Sequence, residues 1–316
     1  MLPGFSKGRF HALAAVTTAA ALMLMGTAHA QEIIVTHTKG ETVLPAKPVK
    51  VVTFDFSSLE ILDAMGVEVV GLPGSNVPEI LAKYRDETYA KVGSLFEPDY
   101  EAVAAAEPDL IIVAGRSSPK YDDLSKIAPT IDLTVNFGDF IPAARRNTET
   151  LGRIFGKEAV ATSLLADMDK AMAAVKAEAA GIGKSLFVMT NGGKVIAFGP
   201  GSRFGWLHDD LGIKAATSDI ATEGSHGQGV SFEFVRQQNP DLLMVLDRDR
   251  AVGGPSSGAV SASKTLDNEL VAATSAWKSG QVVYLDPVRL YIIGASPLSI
   301  TAIANQIDAM IKARKS

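Results

Sequence analysis

Residues 99–116, DYEAVAAAEPDLIIVAGR, recur at 231–248 as SFEFVRQQNPDLLMVLDR. In each copy a Glu, at 101 or 233, precedes a Pro-Asp-Leu, and an apolar run then ends in Arg116 or Arg248. Asp99 and Ser231 suit helix N-caps, and Glu101 and Glu233 fall in first turns, where the helix dipole favours carboxylates. The residue ahead of Pro108 or Pro240 leaves the right-handed helical region, so each helix ends there. Leu110 to Val113 and Leu242 to Leu246 are short continuous apolar runs, as expected of parallel strands covered on both faces. A repeat at this distance predicts two matched lobes with a cleft between them, since a solenoid needs a shorter period. Both arginines then lie at carboxyl ends of strands, the edge where open α/β sheets bind ligands. One such Arg could simply cap its own loop, whereas two at the same offset favour a shared anion site.

Outward from the repeat, strand and helix alternate. Strands are predicted at Ile33–His37, Val51–Phe54, Glu68–Gly71 and Ile131–Leu133, and helices at Ser58–Met65 and Tyr121–Ile127. An Ala-rich helical region follows, from about Ala143 to Ala180, divided by Gly156. Beyond it come strands Leu186–Thr190 and Val195–Phe198 around a Gly192-Gly193 turn, a helix Phe204–Leu211 and a strand Gln281–Leu285. A last helix, Pro297–Lys315, is capped by Ser296. The expected fold is α/β, with two sandwich lobes of largely parallel sheets (31–157 and 182–316) joined by one long helix at 158–181. Such a linker allows only small lobe movements.

The first 30 residues have the pattern of a secretory signal: Lys7 and Arg9, an apolar stretch Leu13–Met25, then Ala28-His29-Ala30. The expected mature chain starts at Gln31, outside the cytoplasm. With no cysteine, it has neither a thiol nucleophile nor a lipid attachment point, which points to a free periplasmic protein. The net charge of −5 argues against nucleic acid, and a mildly acidic body with arginines at chosen positions fits selective binding of a small anion better than general attraction to polyanions.

Two glycine loops are decoys. GPGSRFG, 199–205, has Phe204 where a dinucleotide fingerprint needs glycine, and AGIGKS, 180–185, follows a helix rather than a strand. Arg203 still matters, since it joins Arg116 and Arg248 as a third fixed cation of fork geometry; Arg250 competes for the place of Arg248. His226, in the loop GSHGQG at 224–229, is either a surface histidine or a ligand, and Tyr291 is either a rim aromatic or a ligand. Together, imidazole and phenolate can fill two positions on a transition metal, the phenolate suiting Fe(III). Two ligands do not hold a bare ion, but they can complete one already chelated.

At these residues the chain resembles the periplasmic iron-siderophore substrate-binding proteins of ABC importers, of the catecholate, enterochelin-type group. The resemblance covers 31–316 and is carried by VVTFDFSSLEILDAMGVEVVG, KVGSLFEPDYEAVAAAEPDLIIVAGR, YDDLSKIAPTIDL, TNGGKVIAFGPGSRFG, SHGQGVSFEF, LDRDRAVGG, TLDNELV and YLDP, in that order. It implies a class III binding-protein fold and a monomeric, non-enzymatic receptor. Such a receptor has no intrinsic cofactor and binds Fe(III) as a siderophore complex for delivery to an inner-membrane permease. The ligand-binding arginines map onto Arg116, Arg203 and Arg248, the iron-coordinating pair onto His226 and Tyr291, and the permease-docking acids onto Glu101 and Glu233. The sequence departs from the pattern at Arg289, Leu290 and Gly294-Ala295-Ser296, so Arg289 is expected to add a charge at the rim. The rival readings are a receptor for haem, cobalamin or a hydroxamate siderophore, and an enzyme that processes an iron chelate.

Overall fold

The computed structural model describes residues 32–220, 226–253 and 260–313, together with Met1, Pro3 and Gly4. The proposed signal segment therefore lies outside the described residues, apart from Met1, Pro3 and Gly4. In the N-lobe a hairpin, β1 (Ile33–His37) and β2 (Gly40–Leu44), leads into β3 (Val51–Thr53), β4 (Gly71–Leu72), β5 (Ala90–Lys91), β6 (Leu110–Val113) and β7 (Thr130–Asp132). Helices α1 (Phe56–Ala64), α2 (Tyr100–Ala105), α3 (Tyr121–Leu124) and α4 (Phe140–Phe155) alternate with them. The long linker is α5 (Glu158–Ile182). In the C-lobe the strands are β8 (Ser185–Asn191), β9 (Lys194–Phe198), β10 (Gln228–Val230), β11 (Leu242–Asp247) and β12 (Val282–Tyr284). Its helices are α6 (Trp206–Asp209), α7 (Phe232–Gln238), α8 (Arg248–Gly253), three short ones at α9 (Ala262–Leu266), α10 (Glu269–Ala272) and α11 (Ser275–Lys278), and α12 (Pro297–Ala313).

The N-lobe sheet has the order β5-β4-β3-β6-β7 and is parallel throughout. The C-lobe sheet, β10-β9-β8-β11-β12, is parallel only at β8, β11 and β12. There β9 runs antiparallel to β8 and β10, because Gly192 and Gly193, with φ of 56° and 76°, close a tight hairpin that side-chain-bearing residues disfavour. Chain order reverses between β3 and β6 in one lobe and between β8 and β11 in the other, so each sheet has a switch point at its carboxyl edge. Each sheet is covered on both faces. In the N-lobe, Leu110, Ile112 and Ile131 pack toward α1 and α4, while Ile111 and Val113 face α2 and α3.

Several expected elements are shorter than predicted; the helix expected at Tyr121–Ile127 ends at Leu124, and the strand expected at Gln281–Leu285 is Val282–Tyr284. Glu68–Gly71 pairs only at Gly71 and Leu72, and the helix expected at Phe204–Leu211 is reduced to Trp206–Asp209. A six-residue π-helical turn, Val288–Ile293, had no counterpart in the sequence reading.

The duplicated segment folds as two copies of one device. Asp99 and Ser231 cap their helices, accepting from the backbone N–H groups of Ala102 and Phe234. Ahead of each proline, Glu107 and Asn239 leave the helix through the left-handed region, with φ of 47° and 44°, rather than through extended backbone. The following carboxylates then anchor the entry to the neighbouring strand: Asp109 accepts from Val49 and Lys50 N–H at 2.9–3.1 Å, and Asp241 from Lys184 N–H at 2.9 Å. The repeated Asp is therefore a structural residue. Asp241→Ala is expected to lower stability by about 1–3 kcal/mol in urea unfolding, since the anchoring hydrogen bond is charge-assisted, and to leave ligand affinity unchanged.

Candidate functional site

Strand order places the site. Asp55 follows β3 and Arg116 follows β6, flanking the N-lobe switch point; Asn191 ends β8 and Arg248 begins α8 directly after β11, flanking the other. Across the C-lobe switch point, Arg248 Nη1 donates to Asn191 Oδ1 at 3.1 Å. Arg203 sits in the glycine turn ahead of α6 rather than at the start of a long helix. All three arginines converge on Tyr291, in the π-helical turn. Their guanidinium carbons lie 4.4 Å (Arg203), 5.6 Å (Arg116) and 5.6 Å (Arg248) from its ring centroid.

Hydrogen bonds fix this arrangement. Arg116 donates to the carbonyl of Tyr291 at 2.7 Å and to that of Ile292 at 3.3 Å, and Arg203 donates to the Tyr291 carbonyl at 3.2 Å. Arg248 Nε donates to the phenol oxygen at 3.0 Å. The two arginines that hold the backbone come from opposite lobes. Burial lowers the pKa of both Arg116 and Arg203, and Arg203 lowers that of Arg116 further. A guanidinium remains charged through shifts of this kind.

At Tyr291, burial alone pushes the phenol pKa up. The hydrogen bond from Arg248 and the charges of Arg203 and Arg248 outweigh it, and the net position is below the ordinary tyrosine value. Tyr84 shows the contrast, since burial and donation to Asp63 at 2.9 Å raise its phenol instead. Ionisation of Tyr291 is thus easier than that of an ordinary tyrosine.

Beside this cluster opens a cleft of about 480 Å³ bounded by Arg116, Arg203 and Tyr291. Its polar lining includes Asp55, and its aromatic wall includes Phe140 and Trp206, stacked at 5.7 Å with planes 5° apart. Phe137, at the rim, is 38% exposed. Asp55 caps α1 through Ser58, and burial raises its pKa despite that hydrogen bond.

His226 is not brought into the cluster. It occupies an exposed turn ahead of β10, and the cleft lining does not include it. The next residue, Gly227, is tightly seated: a Cβ there would lie 2.7 Å from the Phe198 ring, which in turn touches Phe204 at the cleft wall. Residues 221–225, the start of this loop, lie outside the described residues. Arg289 does not line the cleft either. It turns into the lobe interface, where Nη1 meets Glu60 Oε1 at 2.9 Å, correcting its expected place at the rim. Arg250 is exposed and borders a second cavity instead. Glu101 and Glu233 are both exposed on first helical turns.

Asn191, Trp206 and Asp55 were missed from sequence. Asn191 and Asp55 had a usable signal, since each stands at the carboxyl end of a strand beside the switch point. Trp206 had none, because only the packing of α6 against Phe140 turns it to the cleft.

The chain resembles several characterised proteins over most of its length. The petrobactin-binding protein YclQ of Bacillus subtilis is 41% identical over 282 residues, covering 88% of this chain and 87% of the relative. The ferric-anguibactin-binding protein FatB of Vibrio anguillarum is 34% identical, covering 90% and 88%. The crystal structure of YclQ superposes with a TM-score of 0.83 at 39% identity, covering 89% of this chain and 99% of that one. That of the catecholate-siderophore binding protein VctP from Vibrio cholerae gives 0.81 at 32%, covering 90% and 100%. No helix among the described residues is long and apolar enough to cross a membrane. Residues 51–288 match the model of the periplasmic binding protein family, and the chain belongs to that family.

Proposed function

We propose that this protein is a receptor that captures a ferric catecholate siderophore outside the cytoplasm and delivers it to the permease of an ABC importer. The observation that carries this reading is the convergence of three guanidinium groups from both lobes on one phenol of lowered pKa. A ferric catecholate chelate is anionic, and removing it from water is tolerable only against fixed cations and hydrogen-bond donors. The arginines supply these, and Trp206 and Phe140 offer a flat apolar wall to the aromatic rings. The structural likeness to VctP, a catecholate-siderophore binding protein, supports the same class of cargo, and the relatives that bind petrobactin and ferric anguibactin support an iron-carrying one.

Tyr291 is the proposed iron ligand from the C-lobe. On binding, the phenolate oxygen exchanges the Arg248 hydrogen bond for the metal or shares it, and completes a coordination sphere that a tetradentate chelator leaves open. His226 is the proposed second ligand, entering by movement of its exposed turn. Glu101 and Glu233 would dock the two lobes on the permease, the receptor acting as a monomer after removal of residues 1–30. A receptor for haem, cobalamin or a hydroxamate makes less use of three cations around a phenol. An iron-processing enzyme would be distinguished by turnover of a ferric chelate in place of stoichiometric binding.

Quenching of Trp206 fluorescence by ferric bis-catecholate tests the reading directly. Tight saturable binding is expected, and affinity for haem or ferric hydroxamate without catecholate binding would overturn it. Arg116→Gln, Arg203→Gln and Arg248→Gln should each weaken binding by roughly 10- to 100-fold, the worth of a charged hydrogen bond.

The tyrosine makes a pH prediction. Metal binding removes the phenol proton, so affinity for a tetradentate complex rises with pH up to the lowered Tyr291 pKa and levels off above it. In Arg248→Gln the levelling should move to higher pH. Ultraviolet titration of the apoprotein should show the same shift in its earliest-ionising tyrosine.

A further inference from the structure

The π-helical turn that presents Tyr291 is held by a partly buried ion pair, Glu60–Arg289, that does not line the cleft. Glu60, in the middle of α1 in the N-lobe, has a side chain only 7% exposed, and Arg289 of the C-lobe turn is 23% exposed. Arg289 Nη1 donates to Glu60 Oε1 at 2.9 Å, and Ser299 Oγ, in the first turn of α12, donates to Oε2 at 2.8 Å. Asp286 approaches Arg289 Nε at 3.8 Å. One carboxylate thus joins α1, the turn and α12, elements of both lobes.

Stability is a poor reason for this pair, since desolvating two charges costs about as much as their attraction returns. A role in register accounts for it better. The turn closes with an N–H of Gly294 donating to the Arg289 carbonyl at 2.8 Å, the i→i+5 bond of a π-helix, a conformation that is rare and needs tertiary support. Ile292 and Ile293 are buried in the N-lobe core, and Ser57 Oγ donates to the Ile293 carbonyl. Arg289 is therefore gripped by α1 at one end of the turn while Ser57, at the start of the same helix, grips the other end. Tyr291 lies midway between these two points.

We propose that Glu60 and Arg289 are positioning residues for Tyr291. Their ion pair across the lobes sets the height of the phenol among the three arginines, and so the preference for ferric complexes with an open coordination position over saturated ones. This rests on the reading of Tyr291 as an iron ligand. Because Glu60 neutralises it, the Arg289 guanidinium adds no attraction for the anionic cargo and acts only through the turn.

The test compares a ferric tetradentate bis-catecholate with a ferric hexadentate tris-catecholate, using Glu60→Gln, the charge-free double variant Glu60→Gln/Arg289→Gln, and Tyr291→Phe. Circular dichroism checks folding, and the double variant leaves no uncompensated buried charge if the single one unfolds. Affinity for the tetradentate complex should fall about tenfold or more, the usual effect of losing a group that orients a metal ligand, with the hexadentate affinity unchanged. Resonance Raman bands of iron-bound tyrosinate, identified by their shift on ring-deuterated tyrosine, should weaken in parallel. If both complexes lose affinity equally, or the tyrosinate bands keep full intensity, Glu60 and Arg289 have no positioning role. If Tyr291→Phe itself leaves the ratio of the two affinities unaltered, the iron-ligand reading fails, and the positioning role with it.

Discussion

Three like charges around a single ring is the constraint on which the rest of the molecule depends. Guanidinium groups whose carbons all lie within 5.6 Å of one ring centroid repel one another. Without an anion between them they would separate, and the protein prevents this by giving each another partner. Arg116 and Arg203 donate to carbonyls of the turn at Tyr291 and Ile292, Arg248 donates to Asn191 and to the phenol, and the Tyr291 ring offers its face to all three. Each cation–π contact returns about 0.5–2 kcal/mol, which offsets part of that repulsion. Side chains held in this way would need little further ordering to meet an anion.

The same contacts join the lobes. Arg116 belongs to the N-lobe, yet its partners are carbonyls of the C-lobe turn, and Ile292 and Ile293 complete the N-lobe core. With α5 running between the lobes and the turn embedded on the other side, the lobes are tied at more than one place.

Much of the scaffold was legible in the sequence, for identifiable reasons. Caps such as Asp99 and Ser231, the break at Gly156 and the apolar run Leu242–Leu246 are local signals, and each specifies its element without help from distant residues. The C-lobe hairpin was half legible: the two glycines announced a turn, but the antiparallel partner β10 is three residues long and has no pattern of its own. The π-helical turn was illegible because its geometry is imposed by Glu60, Ser57 and Arg116, all far away in sequence. For that reason Arg289 looked like a rim cation until Glu60 appeared beside it.

By itself the sequence determined the two-lobed plan and the pairing of Arg116 with Arg248, because a duplicated helix-strand unit puts equivalent residues on equivalent strand ends, and the glycine loop at 199–205 marked Arg203. The tertiary structure alone decided what those cations surround. That Tyr291 stands at their centre, with its phenol pKa lowered, while His226 remains on an exposed turn, follows from packing between the lobes, and packing over such distances leaves no periodic trace in the chain.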